Sequence, residues 1–203
     1  MISIVSYGVG NISSIANMFR HIGVAAQVVD SASAIASVSK LVLPGVGAFD
    51  YGLARLRKNG MADALGEAVL GKRIPCLGIC LGMQLMCRSS EEGMSQGLGW
   101  IDAHVRRFQL PADSQLKVPH MGWNTLKLHR DDGLVPRDDH RQRFYFVHSY
   151  QVQCSNPTDV VATASHGHEF VAAFSRDNIH GVQFHPEKSH RYGMALMKRF
   201  AEL

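Results

Sequence analysis

The sequence predicts an α/β fold: an open, mixed, mostly parallel sheet with helices on both faces, and antiparallel strands added in the second half. Three observations carry that expectation. Apolar runs alternate with helix-period segments through the first half, the pattern of a parallel sheet. Glycine-rich turns close several runs: Gly8-Val9-Gly10-Asn11, Pro44-Gly45-Val46-Gly47 and Gly78-Ile79-Cys80-Leu81-Gly82. From residue 101 onward, short strands joined by tight turns replace the helical periods.

Ile2 to Tyr7 reads as the first strand, and Gly8 to Asn11 as a turn. Ile12 to His21 reads as a helix, with Ile15, Met18, Phe19 and Ile22 along one face. Ala25 to Val29 and Leu41 to Leu43 are the next strands. Tyr51 to Leu70 is a helical stretch broken near Asn59-Gly60. A strand over 74–79 leads into the turn around Cys80, and Met83 to Cys87 are good helix formers. In the second half, strands are expected over 101–109, 124–129, 144–148, 160–164, 170–174 and 179–184. Pro111 to Pro119 reads as a surface loop and His190 to Leu203 as a terminal helix. With no repeat, low-complexity segment or linker, residues 1–203 read as one domain.

The totals exclude several classes. At 46% hydrophobic and 19% charged, the 203 residues suit a globular α/β domain. No run of 18 apolar residues occurs, so no membrane span is expected. The first residues lack a basic segment and a cleavage site, so no secretion signal is expected. Four cysteines in a chain this long make no disulfide framework, which points to a reducing cytoplasm. Net charge is +4. The basic Arg106-Arg107 and Arg141 to Arg143 are interleaved with Asp131-Asp132 and Asp138-Asp139, and no aromatic stacking motif accompanies them. A solvated surface explains them better than a nucleic-acid footprint.

The chemistry concentrates at Cys80. Glycines two residues to either side let strand and helix approach, and the turn lifts the side chain out of the sheet. A helix N-terminus favours a thiolate and a developing oxyanion. A buried structural cysteine is the plain alternative, and Cys76, Cys87 and Cys154 are read that way. His185-Pro186-Glu187 offers a base and a carboxylate to orient it at another strand end. The other histidines have no equivalent context. An oxyanion hole needs two converging N–H donors. Leu81 beside the nucleophile and the Gly45–Gly47 loop are the candidates, although the latter also reads as an ordinary turn. Gly8-Val9-Gly10 lacks the third glycine of a dinucleotide fingerprint, so no cofactor is expected. Pro75-Cys76-Leu77-Gly78-Ile79-Cys80 has one residue too many between its cysteines for the zinc deaminase pattern, so no metal is expected.

These residues, together with several longer stretches, resemble class I (triad) glutamine amidotransferases, and more narrowly the glutaminase subunits of imidazole glycerol phosphate synthase. The resemblance runs nearly end to end. It includes Leu43-Pro44-Gly45-Val46-Gly47-Ala48-Phe49, Ser90-Glu91-Glu92-Gly93, Pro119-His120-Met121-Gly122-Trp123-Asn124, Tyr145-Phe146-Val147-His148-Ser149-Tyr150 and Gln183-Phe184-His185-Pro186-Glu187-Lys188-Ser189. It implies a flavodoxin-like fold and a glutaminase with Cys80, His185 and Glu187 catalytic. It also implies Gly47 and Leu81 as oxyanion donors, and Gln84, Ser149 and Tyr150 as glutamine-binding. The implied partner is a separate (β/α)₈-barrel cyclase subunit in histidine biosynthesis. Asn11, Trp123, Asn124, Tyr145 and Lys188 are where it would dock. Ser6 stands where many relatives have Asp, which bears on partner choice. Close paralogues feed a sugar amidotransferase in surface-polysaccharide synthesis. A Cys-elbow hydrolase without a partner and a catalytically silent binding subunit are the readings from other classes. The intact Cys80, His185 and Glu187 argue against the second.

Overall fold

The computed structural model describes residues 1–135 and 142–203. Asp138, Asp139 and Arg141, part of the mixed-charge stretch, lie outside the described residues. The elements in chain order are β1 (Ile2–Val5), α1 (Ile12–His21), β2 (Ala26–Val29), α2 (Ala32–Ile35), β3 (Leu41–Gly45), α3 (Phe49–Lys58), α4 (Met61–Gly66), β4 (Cys76–Cys80) and α5 (Leu81–Leu85). Then follow β5 (Ser89–Ser90), β6 (Ala103–Arg107), β7 (His120–Thr125), β8 (Lys127–Leu128), β9 (Arg143–His148), β10 (Tyr150–Cys154), β11 (Val160–Ser165), β12 (Glu169–Arg176), β13 (Ile179–Val182) and α6 (His190–Glu202). Gly60, in the left-handed conformation at φ 65°, separates α3 from α4, where a break was expected.

The main sheet runs β2-β1-β3-β4-β13-β12-β10-β6-β5, with β11 and β8 branching from β12. β2, β1, β3, β4 and β13 are parallel. β13, β12, β10 and β6 are joined antiparallel, so the antiparallel extension is as prominent as the parallel core. β7 and β9 form a separate antiparallel ribbon.

Strand periodicity assigns side chains to the two faces. Leu41 and Leu43 pack with Leu53, Leu56, Met83 and Leu85 on the α3–α5 face. Val42, between them, packs with Ile15, Phe19, Leu196 and Phe200 on the α1–α6 face. Every residue of β3 and β4 is buried, as parallel strands covered on both faces require.

Several elements differ from the sequence expectation. The stretch 124–129 is the end of β7, a break and the short β8, and β7 itself begins at His120. The helix after Cys80 starts at Leu81 because the thiol residue is itself its N-cap. The strand β10 was not expected. Its sequence, Tyr-Gln-Val-Gln-Cys, hides a buried Gln151 that bonds His168 at 2.7 Å instead of facing solvent. Among the described residues no helix is long and apolar enough to cross a membrane.

Candidate active site

β3, β4 and β13 end side by side, and their carboxyl ends carry the site. Cys80 has φ 53° and ψ −111°, a conformation L-residues rarely adopt. Its flanking glycines explain how the chain tolerates this. A Cβ on Gly82 would lie 1.8 Å from the Leu43 carbonyl oxygen, and one on Gly78 would lie 2.8 Å from the Met83 backbone. Only glycine lets the helix start this close to the neighbouring strands.

His185 follows β13 and is held by its own backbone. Its N–H donates to the Tyr145 carbonyl at 2.9 Å. The buried Ser189 hydroxyl donates to the His185 carbonyl at 2.6 Å and accepts the Tyr145 N–H at 3.0 Å. Pro186 then opens a short 3₁₀ turn over Pro186–Lys188 that brings Glu187 back under the ring. The Glu187 Oε1 lies 2.8 Å from His185 Nδ1, and the two side chains are 1% and 2% exposed. Nε2 therefore faces the thiol. Burial pulls the His185 pKa down, but the facing Cys80 sulfur and the Glu187 carboxylate outweigh it and push it up to about 10.

Cys80 and His185 open onto a cavity of about 490 Å³, with Glu187 buried behind the ring. Gly47, Leu81, Gln84, Ser149 and Tyr150 line it beside Cys80 and His185, as the sequence reading grouped them. Glu92 and His148 line it too, and the sequence reading assigned neither a role. Among the described residues Glu92 is the only carboxylate that lines it. Its Oε2 accepts the Phe49 N–H at 2.9 Å, which fixes it beside the cavity. Its place in the Ser90-Glu91-Glu92-Gly93 stretch is the signal that marks it in the sequence.

The Gly45–Gly47 loop is tethered at one end and free at the other. The Tyr7 hydroxyl donates to the Pro44 carbonyl at 2.7 Å, and a Cβ on Gly45 would lie 2.8 Å from Gly82 N, Leu81 Cβ and the Tyr7 oxygen. Burial, and the nearby Cys80, push the Tyr7 pKa up, so the phenol stays a donor. Gly47, at φ 99°, is exposed with nothing near its Cβ position.

The residues expected at a docking face separate into two kinds. Trp123 sits within β7, not at a turn before a strand, and is 43% exposed. Its ring stacks on His190 at 5.5 Å and meets Tyr145 edge-on at 6.1 Å. Lys188 Nζ lies 5.6 Å from the Tyr145 ring. Asn11 caps α1 without a side-chain cap bond, which leaves its amide available. Asn124 differs, because its amide is spent within its own chain on Ser165, His120 and the Thr125 N–H. Four histidines that lacked context in sequence, His120, His148, His166 and His168, gather around Phe108, and His148 among them lines the cavity. Among the described residues no group of His, Cys, Asp or Glu is placed to hold a metal ion.

Comparison with known proteins agrees with this geometry. The family model "Glutamine amidotransferase class-I" matches residues 3–202. The chain is 48% identical over 203 residues to "Imidazole glycerol phosphate synthase subunit HisH 2" of Pseudomonas aeruginosa, covering 100% of both. It is 45% identical over 204 residues to the subunit HisH of Bdellovibrio bacteriovorus, again covering 100% of both. It is 46% identical over 200 residues to HisH 2 of Methanococcus maripaludis, covering 98% of both. Among solved structures it is similar to a glutamine amidotransferase, with TM-score 0.74, 18% identity and coverage of 99% and 97% of the two chains. PurLQS of Thermotoga maritima gives TM-score 0.73 at 16% identity, with the same coverage. With the thiol elbow, the buried imidazole–carboxylate pair and these relatives in agreement, the chain belongs to the class-I glutamine amidotransferase family, in the group of HisH subunits of imidazole glycerol phosphate synthase.

Proposed function

We infer that the chain hydrolyses L-glutamine to glutamate and ammonia, and hands the ammonia to a separate (β/α)₈-barrel cyclase subunit that makes imidazole glycerol phosphate and an aminoimidazole carboxamide ribotide. The observation that carries this reading is the meeting of Cys80, Gln84 and His185, the last backed by Glu187, at one cavity of about 490 Å³. His185 takes the Cys80 thiol proton as the sulfur adds to the glutamine side-chain carbonyl carbon, and the carbonyl oxygen becomes an oxyanion. Leu81 and Gly47 N–H groups receive it. The C–N bond breaks, His185 delivers its proton to the departing nitrogen, and a γ-glutamyl thioester remains. Water, deprotonated by His185, attacks the thioester and releases glutamate and the thiol. Glu92 suits the α-ammonium of the substrate, and Gln84, Ser149 and Tyr150 hold the rest. Residues 1–203 act as one glutaminase domain, and the four free cysteines fit a cytoplasmic setting. No nucleic acid or membrane enters this function.

Free ammonia release would waste glutamine, so the isolated chain should be a poor glutaminase. The Gly45–Gly47 loop is the gate, since Gly47 permits a peptide flip that a Cβ would resist. Turnover of glutamine should rise strongly when the partner is added with its nucleotide substrate. Full activity of the chain alone would contradict the gating.

Trp123 with Tyr145, Lys188 and Asn11 forms the docking face. Trp123→Ala should weaken partner binding by about 2 kcal/mol or more. It should leave the melting temperature of the isolated chain nearly unchanged, because Trp123 is already 43% exposed. A large fall in melting temperature with affinity retained would place the ring's role in the fold instead. A sugar amidotransferase partner is the second reading, and its motivation is that two of the relatives above carry the number 2 in their names. Co-purification from the native host decides between the histidine-pathway cyclase and a sugar amidotransferase.

A further inference from the structure

We propose that Asn124, His120, His148 and Gln183 are positioning residues of one proton-ordered hydrogen-bond relay that runs from the β7–β9 ribbon to the Cys80 sulfur and fixes the Gln84 amide on its way. The proposal rests on the reading of Cys80 and Gln84 given above.

The links are continuous. Gln183 Nε2 donates to Cys80 Sγ at 3.7 Å. Gln183 Oε1 accepts from Gln84 Nε2 at 3.0 Å. Gln84 Nε2 also donates to the Tyr150 carbonyl at 3.3 Å. The same carbonyl lies 2.8 Å from His148 Nδ1. His148 Nε2 is 3.1 Å from His120 Nδ1, and His120 Nε2 is 3.2 Å from Asn124 Nδ2. Asn124 Nδ2 donates onward to the Ser165 carbonyl at 2.8 Å. His120 and His148 meet because they stand directly opposite in the β7–β9 register.

Each end of the relay dictates the same proton positions. A carbonyl only accepts, so the Tyr150 oxygen requires a proton on His148 Nδ1. Neutral His148 then accepts at Nε2, which requires a proton on His120 Nδ1 and leaves His120 Nε2 to accept. From the other end, the Ser165 carbonyl and the Thr125 N–H fix the Asn124 amide with its nitrogen toward His120. That nitrogen donates, and the two assignments coincide. A protonated His148 would set two N–H groups face to face. Burial pulls the pKa values of both rings down, His120 to about 4 and His148 to about 3, with the facing His166 and, for His148, His120 and His185 adding to the effect.

The consequence reaches the substrate. Both N–H groups of Gln84 are engaged, so its Oε1 is the acceptor left for the cavity. Gln183 is fully buried, and its N–H is held on the sulfur by the same chain of contacts. β7 also carries Trp123, so a partner seated there touches the strand that ends the relay.

Two measurements test this. Nitrogen-15 NMR of the histidine rings in the full chain at pH 7 should find His120 and His148 both neutral with the proton on Nδ1. A proton on Nε2 of either ring, or an imidazolium, would overturn the relay. In the complex, His120→Phe keeps a ring and removes both polar links. It should raise the KM for glutamine about 5- to 10-fold, the worth of one or two lost hydrogen bonds, with a smaller change in kcat. His148→Asn keeps an N–H toward the Tyr150 carbonyl and should retain most of the affinity, whereas His148→Leu should not. A His120→Phe variant that loses melting temperature but keeps its KM would reduce the cluster to packing. Should His120→Phe fail to fold, the ring tautomers of the unaltered chain decide alone. Those tautomers do not depend on Cys80 being the nucleophile, so the relay and the glutaminase reading fail separately.

Discussion

Cys80→Ala should abolish glutamine-dependent synthesis by the complex while ammonia-dependent synthesis by the partner persists. Without the sulfur no thioester forms, and loss of a covalent nucleophile costs on the order of 10⁶-fold. The partner consumes ammonia and makes no use of the thiol, so the second activity is the internal control. Loss of both activities would mean that the substitution disturbs docking. Loss of neither would remove Cys80 from the chemistry.

His185→Ala should lose about 10²–10⁴-fold in glutaminase rate, the ordinary worth of general acid–base help. Glu187→Gln should cost less, because Glu187 orients and charges the ring without transferring a proton. Its effect on pH has a definite sign. The Glu187 carboxylate is one of the groups that raise the His185 pKa. Removing the charge lowers that pKa, so the limb of the pH–rate profile that reports His185 should move to lower pH. A shift to higher pH, or a loss as severe as that of Cys80→Ala, would give the carboxylate a role other than the one assigned.

The parts of the site readable in sequence are those built from contiguous residues under a steric or catalytic demand. Gly78 and Gly82 flank Cys80 because a Cβ at either would strike backbone. His185 and Glu187 lie two residues apart because one 3₁₀ turn joins them. The parallel strands β1, β3 and β4 announce themselves as apolar runs because both of their faces are covered. What escaped notice depends on register and burial. Nothing in the segment beginning at His120 says that it pairs with His148 across a ribbon. Gln183 reads as a polar residue at a strand end, yet it is wholly buried against the thiol. Asn124 stands beside an exposed Trp123 but turns its amide inward, a difference that only the fold reveals.

Of the four cysteines, Cys80 alone should act as the nucleophile of a glutamine site. Its neighbours differ physically. Burial pushes the thiols of Cys76, Cys87 and Cys154 up, the last to about 12, and none of the three lines the cavity that holds Cys80. The most direct test is peptide mass spectrometry after treating the complex with a glutamine analogue bearing an electrophilic side chain. Labelling of Cys80 alone, prevented by excess glutamine and absent in His185→Ala at short times, is the predicted result. Labelling of Cys76, Cys87 or Cys154 in place of Cys80 would move the nucleophile to that residue and remove Cys80 from the chemistry.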